Sequence, residues 1–226
     1  MPQSARPMPA APGLIIFDCD GVLVDSEPIA TRILHGVLHE VGLPLSVEET
    51  ERRFMGRSRK STIEIVEREI GRALDAEFVA AWQARVFDGF RQELRPVAGI
   101  ESALDRLTAP VCVASGSDPV RLRLTLELTG LLARFEGRIF SAADVVHGKP
   151  APDLFLLAAR TLGTPPAECV VVEDSLPGVQ AAVAAGMPVY GYAARTPAAM
   201  LAAAGAMVFE DMARLPDLIA GNDKNT

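Results

Sequence analysis

The chain is short of cysteine, of positive charge and of long apolar runs. Its three cysteines, Cys19, Cys112 and Cys169, lie in or beside apolar strand-like runs, and none has CxxC spacing. They read as small buried hydrophobes in a reducing cytoplasm rather than as catalytic thiols. The formal net charge is −7, which argues against nucleic acid or a membrane surface as partner, since both want a basic face. No apolar run approaches the length of a membrane span. The first twelve residues are proline-rich without an apolar signal core, so they are expected to form a flexible tail, and residues 221–226 a frayed end. No internal repeat is visible. Against these absences, 49% of the 226 residues are hydrophobic, enough for a substantial core in one large domain or a core plus a smaller one.

One stretch organises what is there. Leu14-Ile15-Ile16-Phe17 runs into Asp18, then Asp20 and Gly21. A short unbroken apolar run predicts a strand buried on both faces of a parallel sheet. Such strands end where ligands bind. Asp18 and Asp20 are two apart and could enter one site. Two close carboxylates repel, so a shared site calls for a cation or a shared proton; otherwise Asp18 caps a turn and Asp20 is solvated.

From Pro28 to Leu94 the periodicity is wholly helical. Apolar residues recur at helical spacing from Ile29 to Val41, Ser46-Val47-Glu48-Glu49 is a capping box, and Ser61-Thr62 is a weaker start signal. Phe78, Val79, Trp82, Val86, Phe87 and Phe90 make the apolar face of a fourth helix. Trp82 and Phe87 read as core of this block rather than as a sugar platform. After Pro96, helix and strand alternate: strands are expected at 111–114, 139–141, 169–172 and 189–192, and helices at 100–107, 119–128, 153–162 and 176–185. The expected fold is therefore α/β, a doubly wound parallel sheet formed by residues 1–27 and 95–226, with an inserted α-helical domain at 28–94.

Strand ends far apart in sequence meet at one edge of such a sheet. Here they carry Asp18 and Asp20, then Ser115 and Gly116, then Lys149 inside Gly148-Lys149-Pro150, then Glu173 and Asp174. Ser115 and the Gly116 N–H suit phosphate oxygens. Several hard oxygen donors suit Mg²⁺. Taken singly, Lys149 reads as a surface lysine, Ser115 as a helix cap and Glu173 with Asp174 as loop charges; the coincidence of all four at strand ends points to a site.

The series Asp18-x-Asp20-Gly21-x-Leu23-x-Asp25-Ser26, Ser115, Gly148-Lys149-Pro150-x-Pro152 and Val172-Glu173-Asp174-Ser175 resembles the haloacid dehalogenase superfamily. More narrowly, it resembles the beta-phosphoglucomutase and small-molecule phosphatase subgroup, which carries a helical cap after the first motif. The resemblance implies Asp18 as nucleophile forming an aspartyl phosphate and Asp20 as general acid and base. It also implies Mg²⁺ on Asp18, the Asp20 carbonyl and Asp174, with Glu173 direct or through water. Ser115, Gly116 and Lys149 would hold the phosphoryl oxygens. Dehalogenases of the family lack the second aspartate, so Asp20 points to phosphorus chemistry.

Mutases of the subgroup carry a cap histidine where this chain has Ile29 or Ala30, and basic or amide residues where it has Asp118 and Pro119. Both departures favour hydrolysis over intramolecular transfer, with a sugar-phosphate mutase as the alternative. A receiver-like phospho-aspartate module is a distant one, because receivers lack an inserted cap. Arg59, in Gly56-Arg57-Ser58-Arg59-Lys60, matches the cap arginine of mutases. It reads as a clamp for an anionic far end of the substrate, or else as part of a solvated basic face. Glu27 and Ser117 are further expected substrate contacts, and His147 a possible entrance residue. His35 and His39, one helical turn apart, read as a solvated pair. The expected activity is a Mg²⁺-dependent phosphatase of the cytoplasm acting on a small phosphorylated metabolite.

Overall fold

A computed structural model describes residues 8–9 and 11–222. The expected N-terminal tail and the frayed end therefore fall largely outside the described residues. Two compact units result: the chain up to Val24 together with the chain from Pro96 onward, and Asp25–Arg95.

The first unit is built on a six-stranded sheet. The first strand, β1, is Leu14–Phe17. The second unit then supplies α1 (Glu27–Glu40), α2 (Val47–Phe54), α3 (Arg59–Ile70) and α4 (Ala76–Glu93). The first unit resumes with α5 (Ile100–Arg106), β2 (Val111–Ser115), α6 (Pro119–Leu128), α7 (Leu132–Phe135), β3 (Ile139–Ser141) and α8 (Asp153–Thr161). It ends with β4 (Cys169–Glu173), α9 (Leu176–Ala184), β5 (Val189–Tyr192), α10 (Ala198–Ala203), β6 (Met207–Phe209) and α11 (Leu215–Ile219).

The sheet order is β3-β2-β1-β4-β5-β6, and every pairing is parallel. β1 sits in the interior, with Phe17 beside Val113 of β2 and Val172 of β4. Its side chains alternate between two buried layers. Leu14 and Ile16 join the cluster formed with Leu154, Phe155 and Ala158 of α8 and Val179, Ala181 and Ala182 of α9. Phe17 faces the other way, edge-on to Phe135 at 6.4 Å between ring centroids. Two covered faces explain why the run has no polar residue. α7, α10, β6 and α11 carry no signal read from the sequence. The Tyr190 hydroxyl donates to the Leu218 carbonyl at 2.9 Å, tying α11 to β5.

In the second unit, α1 packs on α4 and α2. The Ser46–Glu49 capping box forms as expected. α3 starts earlier than the Ser61-Thr62 signal: Ser58 is its N-cap, and the Ser58 side chain accepts the Ser61 N–H at 3.2 Å. A serine three residues ahead outcompeted the expected start because its oxygen meets an otherwise orphaned amide. Arg32 and Glu93, and Arg85 and Glu40, form exposed bidentate pairs between α1 and α4. Trp82, Val86 and Phe90 are buried, in keeping with a packing role.

Candidate active site

The carboxyl ends of β1, β2 and β4 form the edge to which the sequence pointed. β1 runs directly into Asp18, whose N–H donates to the Val172 carbonyl at 2.9 Å. The chain then turns sharply. The Cys19 carbonyl accepts from the Leu23 and Val24 amides, and Gly21 takes φ 80°, a conformation that a β-carbon disfavours. A Cβ at Gly21 would also strike the Asp174 carboxylate. The turn thus needs glycine twice over, and an Asp174 oxygen lies against the backbone beside Asp20.

The register places Asp18 and Glu173 side by side. Phe17 pairs with Val172, so the next residues on the two parallel strands face the same side. Lys149 fills the gap: its Nζ donates to Asp18 Oδ1 at 2.5 Å and to Glu173 Oε1 at 2.6 Å. The ammonium also lies 4.9 Å from the centre of the Phe155 ring, a favourable cation–π placement. Burial alone would lower the Lys149 pKa, but the two carboxylates more than offset it, and Lys149 is held protonated above its usual range. Asp18 is pushed up to about 7, chiefly by burial. Lys149 opposes the shift, and the Glu173 and Asp20 charges add to it.

Glu173, expected to meet the metal directly or through water, is held here by protein groups. It is 0% exposed, and both oxygens are engaged. Oε1 accepts from Lys149, while Oε2 accepts the Asp174 and Ser175 N–H groups at 2.9 and 2.8 Å and the Ser175 hydroxyl at 2.8 Å. Ser175 is also the N-cap of α9. The carboxylate is therefore folded under the N-terminus of the helix that follows it, α9. Ser117, expected as a substrate contact, is engaged within the edge. Its hydroxyl donates to Asp20 Oδ2 at 2.6 Å. Asp20 Oδ1 accepts from Arg121 at 2.6 Å, a partner not anticipated from the sequence. Ser115 is buried, and its Oγ accepts the Ser117 N–H at 3.1 Å. A Cβ at Gly116 would meet nothing within 4 Å, so the space beside its α-carbon is open.

The remaining candidates fall elsewhere. Glu27 opens α1, and exposed Arg59 opens α3, both in the second unit. The His35 and His39 rings lie 4.7 Å apart, and His39 Nε2 bonds the Leu45 carbonyl oxygen at 3.3 Å. His147 lies 3.6 Å from Asp153 on an exposed loop. All three cysteines are free and buried. No described helix is long and apolar enough to cross a membrane.

Among the described residues no group of three or more His, Cys, Asp or Glu forms a metal-holding cluster. Asp18 and Asp174 could instead supply two carboxylates, and Asp20 a backbone carbonyl. This hard-oxygen set fits a magnesium-class ion. The charge also fits: Asp18, Asp20, Glu173 and Asp174 stand against Lys149 and Arg121, an excess of negative charge that a divalent cation would offset.

Comparison with known proteins agrees with this edge. A family model for haloacid dehalogenase-like hydrolases matches residues 12–186. The chain is 34% identical over 208 residues to 6-phosphogluconate phosphatase of Escherichia coli K12, covering 90% of this chain and 93% of that protein. It is 33% identical over 177 residues to fructose-1-phosphate phosphatase YqaB of the same organism, covering 76% and 92%. Among solved structures, a haloacid dehalogenase-like protein of unknown function from Agrobacterium tumefaciens superposes with a TM-score of 0.81 at 40% identity, covering 92% and 98%. The strand order, the acidic edge and these likenesses agree, and the chain belongs to the haloacid dehalogenase-like hydrolases.

Proposed function

We propose that this hydrolase is a divalent-cation-dependent phosphatase that cleaves a small phosphorylated metabolite, a sugar, sugar-acid or polyol phosphate, through an aspartyl phosphate. The observation that carries the reading is the Asp18–Lys149–Glu173 arrangement at the end of an interior strand. It presents one buried, oriented carboxylate oxygen beside a fixed positive charge. The names of the two Escherichia coli relatives support a sugar-phosphate class of substrate.

In this reading the free oxygen of Asp18 attacks phosphorus. The Asp18 O–P bond forms as the bond from phosphorus to the leaving oxygen breaks, and Asp20 gives that oxygen its proton. Water then attacks the phosphoryl group, its proton passes to Asp20, and the Asp18 O–P bond breaks to release phosphate. Ser115, the Gly116 N–H and Lys149 receive the phosphoryl oxygens. Asp18, the Asp20 carbonyl and Asp174 would hold Mg²⁺, which supplies charge neutralisation at the carboxylates and the transferring oxygens. Glu173 serves by holding Lys149. The division into a catalytic core and a substrate-selecting cap at 28–94 belongs to the same proposal, with Arg59 and Glu27 as cap contacts. So does a cytoplasmic setting, supported by three free, buried thiols.

The mutase alternative is weakened by the positions where it needs phosphate ligands. Ile29 is buried, and Asp118 caps α6 by accepting the Arg121 N–H at 3.0 Å. The test is phosphate release from a panel of sugar, sugar-acid, polyol and glycolate phosphates, with and without Mg²⁺, beside Asp18→Asn. Metal-dependent release abolished by the substitution is the expected result. Silence across the panel, with isomerisation of a sugar 1-phosphate primed by its bisphosphate, would transfer the site to the mutase reading.

A further inference from the structure

We propose that Arg121 is a positioning residue for the Asp20 carboxylate, setting the oxygen that serves the leaving group. The inference rests on the phosphatase reading and extends it to a residue outside the four strand-end motifs.

Arg121 lies in the first turn of α6, which follows the β2 strand end. Its backbone is fixed at both ends. The N–H donates to Asp118 Oδ1 at 3.0 Å, and the carbonyl accepts the Thr125 hydroxyl at 3.0 Å. From that anchored turn the guanidinium reaches Asp20 Oδ1 at 2.6 Å, with the two side chains only 21% and 15% exposed. The other oxygen, Oδ2, takes the Ser117 hydroxyl at 2.6 Å. Ser117 is itself held. Its N–H donates to Ser115 Oγ at 3.1 Å, and its carbonyl accepts the Ser141 hydroxyl at 2.7 Å. Each oxygen of Asp20 thus has its own donor, and both donors lie in the segment leaving β2.

Two charge-assisted or short bonds from separate anchors define the plane of the Asp20 carboxylate. Proton transfer to a leaving oxygen needs hydrogen-bond reach in a fixed direction, and small misplacements are costly. Of the two supports, the guanidinium is the one that carries a full positive charge. A purely structural reading, in which the ion pair only staples α6 to the turn, makes a different kinetic forecast.

The two readings separate by leaving group. An alkoxide needs a proton to depart, whereas p-nitrophenolate is a stable anion and needs little help. kcat/KM reports the steps up to formation of the aspartyl phosphate, where only the acid role enters. The alkyl substrate is whichever ester of the panel above the parent enzyme cleaves fastest with Mg²⁺; the aryl substrate is p-nitrophenyl phosphate. For Arg121→Ala, kcat/KM on the alkyl ester is expected to fall about 10²-fold, the lower range of a general-acid contribution. On the aryl ester it should change less than about threefold, because no proton is required. Added guanidinium should restore part of the alkyl activity of Arg121→Ala and leave the aryl activity unmoved. Arg121→Lys and Arg121→Gln, which keep most of the side-chain volume, give the same comparison where the alanine variant unfolds. Arg121→Lys should retain more alkyl activity than Arg121→Gln. Equal losses on both esters, or no loss on the alkyl ester, overturn the positioning role while leaving the phosphatase reading intact. A parent enzyme inactive with Mg²⁺ on every ester of the panel and on p-nitrophenyl phosphate overturns the phosphatase reading, and Arg121 with it.

Discussion

Gly178 should be irreplaceable by alanine for a reason opposite to its place in a helix. It lies in the first turn of α9. Gly→Ala within a helix ordinarily stabilises by ~0.5–1 kcal/mol. At Gly178, however, a Cβ would be driven into the Glu173 carboxylate, meeting its carbon and both oxygens. That carboxylate cannot swing aside freely, because it accepts from Lys149, from two backbone amides and from the Ser175 hydroxyl. Forcing it away breaks at least one hydrogen bond to a charged group, about 1.5–3 kcal/mol. Overpacking adds about 1–3 kcal/mol. Set against the helical gain, Gly178→Ala should destabilise by about 2 kcal/mol or more, several degrees of melting temperature for a chain of this size. The displaced Glu173 should also move Lys149 off Asp18, so kcat should fall in the material that remains folded. Gly36 is the comparator. It lies in α1, exposed, with nothing within 4 Å of its would-be Cβ, so Gly36→Ala should stabilise by ~0.5–1 kcal/mol. The assay is thermal unfolding by circular dichroism with steady-state kinetics on the same samples. A Gly178→Ala protein as stable as the parent would refute the steric argument. One that is destabilised but kinetically unchanged would refute the link from Glu173 to Lys149.

Two further outcomes follow from burial and charge. Burial pushes Cys112 up to about 12 and Cys169 up to about 11, and holds Cys19 well above the usual thiol range. All three should therefore be protonated and inert to a disulfide reagent at pH 8 in the folded protein and titrate fully in denaturant; fast reaction of the native chain would contradict this. If Asp174 helps to hold Mg²⁺, saturating metal should raise the melting temperature of the parent. At a hundredfold excess over Kd the gain is about 2.7 kcal/mol, and Asp174→Asn should lose most of it. An undiminished shift in that variant would remove Asp174 from the donor set.

The β1 edge is legible because its chemistry interrupts an apolar pattern. Four hydrophobic residues followed by Asp18 read as a buried strand whose end carries a carboxylate, and β2 and β4 repeat the signature at Ser115 and Glu173. What could not be read was the pairing within the edge. Glu173 and Asp174 look interchangeable as oxygen donors along the chain. Only the register of β4 against β1 sets Glu173 beside Asp18 and so makes it a lysine partner. Arg121 is hard to read from the sequence for a related reason. It stands beyond the expected motif, and only the helical turn begun at Asp118 folds it back towards Asp20. The signal was present: an arginine one turn into the helix that follows a site-bearing strand. Short Ala-rich α10 and three-residue β6 have too few side chains for either periodicity to emerge.

The way the chain departs from the sheet unit and returns to it has a consequence for how such a protein can change. The Val97 N–H donates to the Leu23 carbonyl at 3.0 Å, and Val24 bridges antiparallel to Pro96. The two severed ends of the sheet unit are thus already stitched side by side, as across a tight hairpin. To the sheet, the intervening segment is a loop whose ends meet whatever its length, and closure entropy grows only slowly with length. Evolution or design can therefore lengthen, shorten or exchange that segment with little disturbance to the strands that carry Asp18, Ser115 and Glu173. On the proposed reading, new substrate preferences can then be tried while the phosphate-handling edge is inherited unchanged.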